Sequence, residues 1–106
     1  MKKTIQMMLL AGSLVLGAAQ AAEFTGWISD SNCGAGNASS EASSRACAER
    51  CLKSGAAPVF VTEADKKVFK IADGAKAAQH LKGKVKVTGT LKGDTLTITD
   101  IKDAGV

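Results

Sequence analysis

"KVFKIADGAKAAQHLKGKVKVTGTLKGDTLTITDI", residues 67–101, decides the fold. Its apolar residues change spacing along the way, and each change marks an element. Lys67 to Ala72 reads as a short strand. "DGAKAAQHLKG" follows, with Asp73 as an N-cap, Ala77, Ala78 and Leu81 as an apolar stripe and Gly83 as a stop, so a helix of two or three turns is expected. "KVKVTGTL" then alternates Val85, Val87, Gly89 and Leu91 inward against Lys84, Lys86, Thr88 and Thr90 outward. "KGD" makes a turn, and "TLTITDI" returns as a final strand with Leu96 and Ile98 inward.

Upstream, Val59 to Thr62 is a second short strand that pairs with Lys67 to Ala72 across the polar turn "EADK". "EFTGWISD", Glu23 to Asp30, places Phe24, Gly26 and Ile28 on one face and Thr25, Trp27 and Ser29 on the other, which is a first strand. "NCGAGNASS" is a small-residue loop, its serines suited to loop and helix-cap positions. From Glu41 the period becomes helical, and Ser44, Cys47, Ala48, Cys51 and Leu52 share a stripe. Glu41, Arg45, Glu49 and Lys53 are spaced by four with alternating sign, which predicts a solvent face laced by ion pairs. Gly55 ends that helix, and Pro58 forbids its continuation.

The order is strand, helix, strand, strand, short helix, strand, strand. With the first helix taken as an insertion, five strands remain with a helix between the third and fourth. The expected fold is mainly β with short helices: an OB-like five-stranded small barrel with a cysteine-bearing helix inserted between strands 1 and 2. "GWISDSNCG", "CAERC", "GAAPVFVT", "KKVFKIA" and "GKVKVTGTLKGDTLTITDIK" resemble a family of small secreted bacterial proteins carrying a cysteine-containing OB-like domain of unknown function. The ending "GKVKVTGTL" with "TLTI" is similar, more weakly, to periplasmic OB-fold stress proteins. The resemblance spans Phe24 to about Lys102 and implies a fold and a location, not a mechanism. Relatives of this kind often carry a histidine in the loop after the first cysteine, where this chain has Asn37.

The chain begins with Lys2 and Lys3, an apolar run from Ile5 to Ala19, and the small-x-small site Ala19-Gln20-Ala21. That is the layout of a cleavable signal peptide over residues 1–21, with a single domain over residues 22–106. The apolar run is shorter than the ~20 residues that span a bilayer, so no membrane insertion is expected after cleavage. A periplasmic or secreted location follows. Of 14 basic side chains against 10 acidic ones, two lie in the leader, which leaves 12 against 10 and a net charge of +2. Nothing in that balance calls for nucleic acid or an anionic membrane as a partner.

All three cysteines fall between Cys33 and Cys51. One reading makes them small buried hydrophobes. Another bridges Cys33 to one helical cysteine, which export permits and small size favours. A third makes Cys33, Cys47 and Cys51 soft thiolate ligands for copper or zinc, with a fourth ligand still to be found. His80, the only histidine, lies off its helix stripe and reads as a solvated residue rather than a ligand. If the first two strands run antiparallel, the end of the helix near Gly55 comes beside the loop holding Cys33. That places Cys51 nearer than Cys47 and predicts a Cys33–Cys51 bridge with Cys47 as an unpaired, buried thiol.

Catalytic signals are missing: there is no paired acidic motif, phosphate loop or serine elbow, and His80 is the only imidazole that could serve a cysteine nucleophile. No enzyme activity is expected. Phe24, Phe60 and Phe69 fall at core positions, whereas Trp27 faces away from them and is either a surface platform or covered by the inserted helix. Trp27, Lys84 and Lys86 are the candidate ligand surface. The expected role is that of a non-enzymatic binding module of the cell envelope without a cofactor, its partner an envelope ligand or protein. The alternative is a thiolate accessory protein for copper or zinc.

Overall fold

The computed structural model of the chain describes residues 21–105, and the expected leader lies outside them but for Ala21. Five strands, β1 (Ala22–Asp30), β2 (Pro58–Thr62), β3 (Val68–Ile71), β4 (Val85–Lys92) and β5 (Thr95–Asp103), close into a barrel in the order β1-β2-β3-β5-β4. The helix α1 (Ala42–Lys53), bearing Cys47 and Cys51, is inserted between β1 and β2. A 3-10 turn at Gly34–Asn37 lies in the segment that leads to it. Every strand pairing is antiparallel except that of β3 with β5, where Lys70 faces Thr95 and Ile71 faces Leu96. Parallel neighbours need a crossover. Here α2 (Gly74–Ala77) and β4 supply it.

β1 serves two neighbours, Ala22 to Gly26 pairing with β4 and Gly26 to Asp30 with β2. Gly26 is the residue common to both ladders. A Cβ there would collide with the Val61 carbonyl, so the absence of a side chain is what lets the strands close at this point. On the opposite side β4 and β5 shift register at Thr88/Gly89. Thr99 is the extra residue, between Ile98 opposite Gly89 and Asp100 opposite Thr88. Such a bulge increases the local twist a small barrel needs.

The barrel interior holds Ile28, Phe60, Phe69, Ala77, Val85, Val87 and Leu96. Phe24 packs edge-on against Phe60 and Phe69, with ring centroids 6.3 and 5.8 Å away. The alternation expected for β1 and β4 is thus the one observed, although Leu91, expected inward, is 36% exposed beside the β4–β5 turn. The second helix is shorter than expected. α2 is a single turn, and beyond it Gln79 and His80 donate to the carbonyls three residues back, Lys76 and Ala77. Only Ala77 of its stripe is fully buried, too little apolar surface to hold further turns against the entropy of ordering them.

Candidate functional site at the cysteine-bearing end

Asp30 ends β1 and is fully buried. Its Oδ2 accepts from the backbone N–H groups of Asn32 (3.1 Å) and Cys33 (2.9 Å), an Asx-type turn that fixes the chain as it leaves the strand. Oδ1 accepts from Asn37 Nδ2 at 2.8 Å, and the Cys51 side chain lies near enough to influence the same carboxylate. Burial pushes this carboxyl up, but the hydrogen bonds from Asn37, Cys33 and Cys51 outweigh it and hold the group below its ordinary value.

The chain register brings α1 to this aspartate. Asp30 faces Pro58 across the β1–β2 ladder, and Ser31 and Ala57 continue it, Ser31 N donating to Ala57 O (2.8 Å) and Ala57 N to Ser31 Oγ (3.0 Å). The end of α1 is closed by a Schellman motif. Gly55 (φ 110°) donates to Leu52 O and Ala56 to Cys51 O, so the last turn, with Cys51 in it, is held beside Asp30.

Arg45 overturns part of the expected solvent face of this helix. Glu49 and Lys53 do pair on the outside at 3.5 Å, but Arg45 is 8% exposed. Its Nη1 donates to Ile28 O (2.9 Å) and Leu81 O (3.2 Å), and its Nη2 to Asn37 O. One guanidinium therefore ties β1, the 3-10 turn, α1 and the segment after α2 together. Burial draws Arg45 below its usual value, and the negative Asp30 opposes that. The charge stays because three carbonyls accept from its Nη atoms and the negative Asp30 favours it, although Nε is buried without a partner.

Between these two anchors lie the cysteines. Cys33 is exposed, Cys47 and Cys51 are half-buried, and each is a free thiol with no partner at bonding distance. Cys47 is therefore less buried than expected from the helix stripe. The three thiols nonetheless lie near enough to influence one another's ionisation, and Asn37, bonded to Asp30, influences Cys47. Among the described residues, no group of three or more His, Cys, Asp and Glu side chains is arranged to hold a metal ion. His80 stands apart, half-buried, with its Nδ1 3.5 Å from Asp103.

The other candidate surface is largely occupied by the protein itself. Trp27 is 7% exposed and packs with Ala38, Val59 and Val61. What covers it is the segment leading into α1 rather than α1 itself, because its indole N–H donates to Ser40 Oγ at 3.0 Å. Lys66 Nζ lies 4.3 Å from the ring centroid and donates to Ala38 O. Lys84 also approaches the ring while pairing with Glu63 at 2.6 Å, and Lys86 pairs with Glu23 at 3.3 Å. A ligand reaching this face meets lysines before it meets the indole. An open groove between the start of β1 and the β2–β3 turn, lined by Phe24, Thr62, Asp65 and Phe69, lies at the opposite end of β1 from the cysteines.

Three residues that hold the site together, Asp30, Asn37 and Arg45, had no role in the sequence-based site. For Asp30 a signal existed, since an aspartate at a strand end followed by "SNCG" suits an Asx turn. For Arg45 none did, because backbone carbonyls leave no mark in a sequence. No family model, curated protein or solved structure matches the chain, so its functional reading rests on this geometry.

Proposed function

We propose that this is an exported, non-enzymatic binding module of the cell envelope whose working end is the thiol cluster. The barrel is its scaffold. One observation carries the reading: the long insertion between β1 and β2 sets the exposed Cys33, its backbone N–H on the buried Asp30, in the segment leading to the helix that bears Cys47 and Cys51. A barrel does not need this to close. The leader-like start at Lys2 and Lys3, with Ala19-Gln20-Ala21, supports export, where a Cys33–Cys51 bridge forms and Cys47 is left as a thiol.

Two measurements test it. Protein expressed with its own start and recovered from the periplasm should have the mass of residues 22–106 less the two hydrogens of one disulfide, with one alkylatable thiol and no bound metal. Met1 retained would overturn export, and stoichiometric copper or zinc would replace this reading with a metal-handling one. Photo-crosslinking in cells then locates the binding end. A reactive residue at the exposed Ala35 should capture an envelope component, whereas the same residue at Leu91 should not. Adducts from Leu91 alone would move the binding surface away from the cysteines.

A further inference from the structure

We propose that the cleft between α1 and the segment after α2 binds a small carboxylate with a short apolar body, and that Arg45 Nε donates to it. The site is separate from the cysteines and stands whether or not they pair.

The first observation is a set of hydrogen bonds that does not close. Arg45 is 8% exposed, and its Nη1 and Nη2 donate to Ile28 O, Leu81 O and Asn37 O. Its Nε is buried and has no partner. A donor of a charged group left unmatched away from water is costly, and native proteins rarely leave one without a purpose. The second observation is where this side chain sits. Arg45 lines an open cleft of about 570 Å³, beside Ala42 and Ala46 of α1 and across from Ala78, Leu81 and Lys82. The cleft continues along α1, because a second hollow reaching Leu52 shares Glu49, Ala78 and Leu81 with it. Ala42, Arg45, Ala46 and Glu49 recur at three- and four-residue spacing, which places them on a different face of α1 from Cys47 and Cys51.

Charge selects the occupant. Glu49, the one acid lining the cleft among the described residues, is paired with Lys53. Lys82 is exposed and has no ion-pair partner among the described residues. Asp30 already answers the charge of Arg45, so an anion gains a hydrogen bond from Nε and its attraction from Lys82. A carboxylate has two oxygens for these two donors, and the alanines and Leu81 suit a short apolar body behind it. Entry needs a small movement, because Nε is covered. The wall that yields is the less firmly held one: α2 is a single turn, Gln79 and His80 donate only to carbonyls three residues back, and Leu81 O accepts the longer of the two Nη1 bonds, at 3.2 Å.

The test reads the Arg45 Nε–H directly in proton–nitrogen correlation spectra of the isotope-labelled exported protein. Arg45 and Arg50 are the only arginines, so an Arg50→Lys background leaves a single guanidinium Nε signal. Titrated with pentanoate, that signal should move downfield and saturate with a dissociation constant on the order of 1 mM. Acetate, which lacks the apolar body, should need about tenfold more, and 1-pentanol, which lacks the charge, should leave the signal in place. Because removing Arg45 threatens the fold, the variants are Lys82→Glu, on an exposed side chain, and Ala46→Asp, which sets a carboxylate in the cleft itself. With the rest of the spectrum unchanged, each should weaken pentanoate binding about tenfold or more. A signal that pentanoate does not move at tenfold higher concentration, or that 1-pentanol moves as far, overturns the proposal. So does acetate binding as tightly as pentanoate, or Lys82→Glu binding as tightly as the parent protein.

Discussion

Arg45→Ala is expected to destabilise the domain by about 4 kcal/mol, the range for removing one member of a buried charge-assisted network. The side chain donates to Ile28 O, Leu81 O and Asn37 O, and all three carbonyls would lose a charged donor together. For a domain of this size, whose whole stability is on the order of 5–10 kcal/mol, that is close to unfolding. The melting temperature should fall by about 20 °C. Arg45→Lys should recover only a minor part, because a single ammonium on a flexible stem cannot span carbonyls from three segments. Circular dichroism melts of both variants check this, and a change of only a few degrees in Arg45→Ala would show that the guanidinium bridges nothing that matters to stability.

Asp30→Ala is expected to cost about as much, roughly 3–4 kcal/mol, because it leaves the donors at Asn32, Cys33 and Asn37 without their acceptor and Arg45 without its nearby counter-charge. The carboxylate also sets a pH dependence with a definite sign. Its folded value lies below the ordinary 3.8, so the folded state favours the charged form. The stabilisation is complete above that ordinary value and fades as pH falls through the lower folded one. Denaturant unfolding should therefore show the gap between wild type and Asp30→Asn constant from pH 5 upward and narrowing below about pH 4. A gap unchanged down to pH 2 would mean that folding does not lower the pKa of Asp30. The two substitutions should also be less than additive, since Asn37 bonds to both side chains.

The barrel was legible in the sequence because its signals are local and redundant. Val85, Val87 and Gly89 alternate with Lys86 and Thr88, Gly93 and Asp94 make the turn, and Gly55 with Pro58 ends the inserted helix. Each of these is fixed by neighbours within a few residues. The antiparallel sense of β1 and β2, from which the end of the helix is placed beside the loop holding Cys33, was legible too. What the sequence hid was the role of Arg45. Glu41, Arg45, Glu49 and Lys53 form a perfect ladder of alternating charge, and the ladder is real where Glu49 meets Lys53. Arg45 instead faces a hollow formed when the 3-10 turn folds back, at a place set by carbonyls from residues 28, 37 and 81. Trp27 shows the same limit. Strand alternation put it outside the barrel correctly, but only the path of Ala38 to Ser40 decides that the outside is covered.

The claim on which the functional reading turns is that the three cysteines hold one staple and one unpaired thiol. Closing the loop between Cys33 and Cys51 would stabilise the fold by roughly 3 kcal/mol on the chain-entropy account. Cys51→Ser should therefore cost far more stability than Cys47→Ser. Peptide mapping of the exported protein under non-reducing conditions, with free thiols alkylated on recovery, tests the claim directly. The account predicts a Cys33–Cys51 link with the alkyl group on Cys47; a Cys33–Cys47 link, or three alkylated cysteines, would contradict it.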